Sequence, residues 1–255
     1  MNNDKQAEYL RYDARAQSLL AQGTAVFGTE PVLGSLAIQP IFRAPYIYYE
    51  QCICRYISQA HDVLELGSGT GLHTYALTQT GARVVASDIS SNSLEVLLQR
   101  IEGGRVRTRV ADMEALPFED NSFDVVACAG SLSYGEPDLV DAEVRRVLRP
   151  GGIFLCVDAL KHNPIYRCNR WFDYMRGVRT KSTLLRMPTM QRIQSIAHGF
   201  KSAEVRFFGA VTFLAAVLVP IIGQRYAAKI SDAVDRMVHV RRSAFKFVLV
   251  ARGRL

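Results

Sequence analysis

A doubly wound α/β sheet with helices on both faces is the fold that the sequence predicts, and three observations carry it. Short apolar runs alternate along the chain with amphipathic stretches of helical period. The first clear run, Val63-Leu64-Glu65-Leu66, enters a turn with glycines two apart: Gly67, Gly69 and Gly71. Glycines at a strand-to-helix turn permit positive φ and let a ligand approach the backbone. Acids then stand at the ends of successive runs, Glu65, Asp88 and Asp112. Carboxylates so placed face the crevice where open α/β sheets bind ligands.

Taken in order, residues 1–44 form an N-terminal extension with a helix near 6–22 and then a Gly/Pro-punctuated stretch. A helix over about 45–60 starts at Pro45 and brings Tyr46, Tyr48 and Tyr49, which either cover a pocket or pack that helix on the sheet. Strands follow at roughly 62–67, 82–88, 105–110, 123–129, 152–158, 203–208 and 244–251, each a short apolar run. Helices fall between them at about 71–80, 91–101, 137–148 and 188–199, the second starting near Ser90-Ser91. A helical insertion of about 209–241 precedes the last strand. Within it, residues 207–223 hold one polar side chain, Thr212, and Pro220 interrupts the run. Seventeen such residues fall short of the about 20 that span a bilayer, so a buried lid helix or an interfacial segment is expected. Beyond it Tyr226, Ile230, Val234 and Met237 fall on one helical stripe.

Composition sets the outer bounds. With 255 residues, 49% of them hydrophobic, the chain can bury a full core and is not a disordered segment. Its five cysteines, Cys52, Cys54, Cys128, Cys156 and Cys168, are too scattered for a metal site, and none is expected. The polar start Met1-Asn2-Asn3-Asp4-Lys5 carries no signal-peptide pattern, which predicts a reducing, cytoplasmic setting, at the inner face of the membrane if the insertion docks there. The formal net charge is +7, and residues 161–192 hold eight basic side chains against the single acid Asp173, which is 8 − 1 = +7. So localised a charge points to an anionic partner: a phosphorylated small molecule, a lipid-linked acceptor or an anionic membrane surface. The competing reading is a solvated basic face.

Beyond the acids, Leu116-Pro117-Phe118, Ser122-Phe123-Asp124 and Leu148-Arg149-Pro150-Gly151-Gly152 appear in sequence. With the glycine turn and the three acids, this series resembles the class I S-adenosylmethionine (SAM) methyltransferases, in the ubiquinone/menaquinone-methyltransferase-like, type 11 group. The resemblance implies a Rossmann-like seven-stranded class I methyltransferase fold, whose last strand inserts antiparallel between the fifth and sixth. It implies SAM as cofactor, held by Glu65, Gly67, Ser68, Gly69, Thr70, Gly71, Asp88, Ile89, Asp112, Met113 and Ala129. In that family the acid matching Asp88 grips the ribose and the one matching Asp112 the adenine amine; taken singly, each acid also reads as a helix cap or turn residue. Residues 45–160 then form the SAM-binding core, residues 1–44 a lid, and residues 161–255 a substrate segment with the insertion and the strands that complete the domain.

Methyl transfer needs an in-line acceptor, and an oxygen or carbon acceptor must also lose a proton. Asp158 and His162, four residues apart after the fifth strand, are the expected base pair, with Tyr134 after the fourth and His73 behind the glycine turn also in reach. Arg167, Arg170, Trp171 and Lys181 make up a segment suited to gripping an anion beside a stacked ring. These features predict transfer to a small or lipid-linked anionic acceptor, with a sugar nucleotide or glycan first and a prenylated quinone precursor second. The alternative class is a SAM-binding or membrane-docking protein without catalysis. A nucleic acid partner is not expected, because no Asn/Asp-Pro-Pro-Tyr-type motif follows the fourth strand.

Overall fold

The computed structural model describes residues 3–22, 34–101, 106–210, 212–237 and 243–255. Seven strands form one sheet: β1 (Asp62–Leu66), β2 (Arg83–Asp88), β3 (Val106–Val110), β4 (Phe123–Ala129), β5 (Leu148–Ala159), β6 (Phe200–Phe208) and β7 (Lys246–Arg254). Their order is β3-β2-β1-β4-β5-β7-β6, with β1 to β5 parallel and β7 antiparallel to both neighbours. This is the sheet expected from the sequence, including the inserted last strand.

Burial on both faces explains why the central strands are nearly continuous apolar runs. Leu64, Leu66, Val126, Cys128, Phe154 and Cys156 point to one face, where Val140, Val144, Ile193 and Ile196 cover them. Those covering residues belong to α5 (Pro137–Val147) and α8 (Met190–His198). Val63, Val125, Ala127, Leu155 and Val157 point to the other face, under Tyr49, Ile53 and Leu77. These come from α2 (Ala44–Tyr56) and α3 (Thr74–Thr78), while α4 (Ser91–Arg100) packs Leu94 and Leu97 against Ala86 of β2. Cys128 and Cys156 are buried free thiols in this core. Burial pushes the Cys128 thiol up to about 12, so it stays protonated.

Local departures have local causes. The fifth strand starts at Leu148 rather than 152, because α5 runs straight into it and the irregularity at Pro150-Gly151 is absorbed as a register shift between Phe123 and Val125. The segment read as a substrate stretch is helical: α6 (Pro164–Met175) starts behind the N-cap Asn163, whose Oδ1 accepts from Tyr166 N at 2.8 Å, and α7 (Lys181–Leu185) follows. Asn-Pro at a helix start was a readable signal there. The extension contains α1 (Asn3–Gln22), with its stretch 23–33 outside the described residues, and the insertion contains α9 (Thr212–Met237), kinked at Gly223. Among the described residues no helix is long and apolar enough to cross a membrane. The stripe predicted on α9 is the outward one: Tyr226 and Ile230 are exposed, while Ala227, Ala228 and Ser231 are buried, with Ala227 and Ala228 beside Ile41. Small side chains let α9 approach the Pro40–Phe42 turn closely. Of that predicted stripe, Met237 falls among residues whose side chains are not described.

Candidate active site

One cavity of about 550 Å³ opens at the carboxyl ends of the parallel strands. Its first wall is the turn after β1. Gly67 and Gly69 both hold positive φ, +61° and +53°. A Cβ on Gly67 would stand 2.5 Å from Ser131 Cβ, whereas one on Gly69 would project into open space. The turn therefore presses against the 130–134 loop on one side and presents bare backbone to the cavity on the other. Asp88, at the end of β2, ties the turn down: one carboxylate oxygen accepts from Gly69 N and the other from Ser90 N, both at 2.9 Å. The Ser68 hydroxyl, also on the lining, is buried without a hydrogen-bond partner. An orphaned hydroxyl beside open glycine backbone and a half-buried carboxylate suits a polar, hydroxyl-bearing ligand such as the ribose and amino-acid parts of SAM.

Asp112 and Met113, after β3, continue this wall. The Asp112 carboxylate accepts from Glu114 N at 3.0 Å and from the Lys5 ammonium, which also reaches Glu114 at 2.8 Å. Lys5 belongs to α1, which carries Glu8, Tyr9, Tyr12 and Arg15 onto the lining as well. Acids dock that helix: Asp4 accepts from Ser182 N at 3.0 Å, Glu8 from Thr180 N at 3.0 Å, and Asp13 from Ser90 Oγ at 2.8 Å. Thr180 and Ser90 are themselves the N-caps of α7 and α4, where orphan donors and helix dipoles favour carboxylates.

Glu65 lies beneath the turn and does not line the cavity. It is 1% exposed and accepts from Thr74 Oγ1 at 2.6 Å, so it joins β1 to α3. Burial raises its carboxyl to about 7, against a smaller opposing effect of Thr74. An acid raised from its ordinary 4.5 binds its proton more tightly folded than unfolded. The stabilisation is therefore full below pH 4.5 and is lost as pH rises through 7. Relative to Glu65→Gln, the wild type should lose about 3 kcal/mol of stability between pH 4.5 and pH 8. Urea unfolding of both proteins at the two pH values checks this, and parallel pH curves would refute it.

The far wall is built from the other end of the sheet. β2 and β5 stand three strands apart, about 14 Å at ~4.8 Å per strand. Asp158 at the end of β5 is 2% exposed and accepts from Leu132 N at 2.9 Å and Ala159 N at 2.6 Å, which fixes the loop carrying Tyr134. Tyr134 hydrogen-bonds Tyr12 of α1 and accepts from Arg179 Nη1, and burial pushes its phenol up. Arg170 donates to Tyr166 Oη at 2.8 Å, and Lys246 stands 5.0 Å from the centre of the Tyr46 ring. Tyr46 in turn stacks on His73, centroids 4.9 Å apart and planes 1° apart. Burial, aided by Lys246, lowers His73 to about 4, so the imidazole is neutral at pH 7.

Of the expected cofactor residues, Gly67, Ser68, Gly69, Thr70, Asp88, Ile89, Asp112, Met113 and Ala129 all line the one cavity. Gly71 does not; it faces α4, where a Cβ would meet Leu97 at 2.9 Å. The Asp158–His162 pair does not form. His162 is exposed and its Nε2 accepts from Met190 N at 3.2 Å, because Lys161 N bonds Pro188 O and turns the chain toward α8. Of the expected anion-gripping set only Arg170 reaches the cavity; Arg167, Trp171 and Lys181 face outward. Helical period explains the split, since Tyr166 and Arg170 are four apart on the inner face of α6. Nor is the basic stretch one patch. Arg192 is held by Asp141 and Arg186 pairs with Glu136 at 2.6 Å. Arg179, Lys246 and Tyr12 were missed by sequence reasoning; no motif surrounds them.

Residues 64–156 match the methyltransferase domain family. The chain is 40% identical over 124 residues to a demethylmenaquinone methyltransferase of Clavibacter sepedonicus, covering 46% of this chain and 48% of that protein. It is 37% identical over 102 residues to a ubiquinone/menaquinone biosynthesis C-methyltransferase, UbiE, of Desulfotalea psychrophila, covering 39% and 42%. The chain thus spans about half the length of the curated relatives it matches. In fold it is similar to phosphoethanolamine N-methyltransferase 2 of Haemonchus contortus, with a TM-score of 0.62 and 18% identity over 96% of this chain and 59% of that one.

Proposed function

From a chain whose residues 64–156 belong to the methyltransferase domain family, on the seven-stranded sheet of the class I SAM-dependent methyltransferases, we propose an enzyme that moves a methyl group from SAM to a hydroxylated aromatic ring of the quinol type. One observation carries this reading: the glycine turn, Asp88 and Asp112 share a single cavity with a second wall of tyrosines and cations. SAM supplies an electrophilic methyl group on a sulfonium. On the donor side, this reading has Asp88 accept from ribose hydroxyls and Asp112 with Met113 hold the adenine edge, supported by their shared place on the cavity lining. On the acceptor side, Tyr12, Tyr46 and Tyr134 offer flat apolar surface with hydroxyl rims, which suits an aromatic ring better than a sugar.

The glycan expectation rested on Arg167, Arg170, Trp171 and Lys181, of which only Arg170 lines the cavity; the quinone alternative fits the lining and the names of the relatives. The test is transfer of label from methyl-labelled SAM to a short-chain prenylated naphthoquinol, with a sugar nucleotide in parallel. Label in the quinol alone is the expected result. Label in the sugar alone would restore the glycan reading, and none in any acceptor with SAM bound would favour a non-catalytic binder. Contact with an anionic membrane belongs to the same proposal: α6 turns Trp171, Phe172 and Met175 outward, flanked by Arg167 and Arg176.

A further inference from the structure

We propose that the acceptor wall is an oxyanion chamber, in which Lys246, Arg179 and Arg170 bind the ionised hydroxyl of an aromatic acceptor. The inference rests on the aromatic-acceptor reading above and names the chemistry that reading leaves open, namely how the acceptor loses its proton.

The three cations come from separate parts of the chain, α6, the segment before α7, and the first residue of β7, yet all line one cavity. Among the described residues no carboxylate lies within 4.0 Å of any of them. What each touches is a phenol: Arg179 meets Tyr134, Arg170 meets Tyr166, and Lys246 faces Tyr46. The nearby acids are committed elsewhere. Glu8 accepts from Thr180 and pairs with Arg11, and both oxygens of Asp158 accept backbone N–H groups. Half-buried cations with no carboxylate in direct contact are costly to desolvate, and an anion entering among them offsets that cost. Lys246 keeps its charge: burial alone would lower it, but the oxygens of Tyr46, Tyr166 and Asp158 outweigh that, and the net shift is upward.

The shape of the wall selects among anions. Tyr46 and His73 stack almost parallel and form a flat face beside Lys246, while Tyr12 and Tyr134 meet edge to face at 5.5 Å beside Arg179. A planar ring carrying one negative oxygen satisfies both features. The chamber also accounts for the missing base. His73, the histidine on the lining, is held low by burial and is a weak proton acceptor at neutral pH, and His162 is outside. Positive charge instead lowers the acceptor's own pKa, so its hydroxyl proton leaves to bulk water on binding. The phenolate electron pair then forms the new bond to the methyl carbon, through oxygen or a ring carbon. The C–S bond breaks with its pair left on sulfur, and a ring-carbon product loses its C–H proton to water as aromaticity returns.

The test uses 4-nitrophenol, whose ionised form absorbs in the visible, titrated against pH on the full chain with S-adenosylhomocysteine present. On the wild type the bound probe should ionise at least one pH unit below the free probe, a tenfold or greater shift in its ionisation constant. Lys246→Met and Arg179→Met should each remove most of that shift, while Lys246→Arg should retain it, which a purely structural role would not predict. Probe bound in its neutral form, an unchanged shift in Lys246→Met and Arg179→Met, or no binding of the probe would each overturn the proposal. Calorimetry with S-adenosylhomocysteine on every variant reports the donor wall separately. Failure there counts against the methyltransferase reading, and failure of the spectral shift alone counts against the chamber.

Discussion

Asp88→Ala should weaken SAM binding by roughly 100- to 1,000-fold in a protein that still folds. On the proposed reading the carboxylate accepts both ribose hydroxyls, and a hydrogen bond to a charged acceptor contributes about 1.5–3 kcal/mol. Two such bonds amount to about 3–6 kcal/mol, and the stated loss takes the lower part of that range because water replaces part of each bond in the variant. The same oxygens also hold Gly69 N and Ser90 N, so the variant loosens the glycine turn that the donor must meet. Ser90 remains an N-cap through its own hydroxyl, which accepts from Ser93 N at 3.0 Å, so α4 should survive. Calorimetric titration of the wild type and the variant, with circular dichroism on both, decides the matter. Wild-type affinity retained by the variant would show that the donor is held elsewhere, and the functional reading would fall with it.

The second large effect is expected far from any motif. Arg192→Met should destabilise the fold by about 3–5 kcal/mol, because it leaves the nearly buried Asp141 carboxylate without its partner. Arg192 is 8% exposed, grips Asp141 through Nε and Nη2 at 3.2 and 2.8 Å, and donates from Nη1 to Leu132 O at 3.1 Å. Leu132 N is meanwhile held by Asp158. The loop that presents Tyr134 is thus clamped between a buried cation and a buried acid. Urea unfolding measures the loss, and a partial recovery in Arg192→Met with Asp141→Leu would identify the stranded carboxylate as its main cause. A change below about 1 kcal/mol in the single variant would show the pair to be unimportant.

The sheet and its donor wall were legible because both are local in the chain. Central strands buried on both faces read as unbroken apolar runs, and the glycine turn with Asp88 and Asp112 follows from strand ends spaced through one half of the sequence. The error over His162 has the opposite origin. Nearness in sequence to Asp158 suggested a pair, but a hydrogen bond between Lys161 and Pro188 decides which way the chain turns after β5. The basic stretch misled for a related reason. Charge counted along a sequence ignores which side of a helix each arginine occupies and which acids the fold brings to meet it, as Asp141 meets Arg192.

By itself, then, the sequence determined the alternating α/β pattern of a doubly wound sheet and the residues of the glycine turn, since short-range periodicity and turn chemistry specify these, while the inserted last strand was implied by the resemblance alone. Only the tertiary structure decided the acceptor wall. Tyr12, Tyr134, Arg179 and Lys246 come from α1, the loop after β4, the α6–α7 connection and β7. No spacing rule relates positions so far apart. They meet because the sheet order places β5 and β7 side by side and because the acids of α1 dock that helix onto the N-termini of α4 and α7.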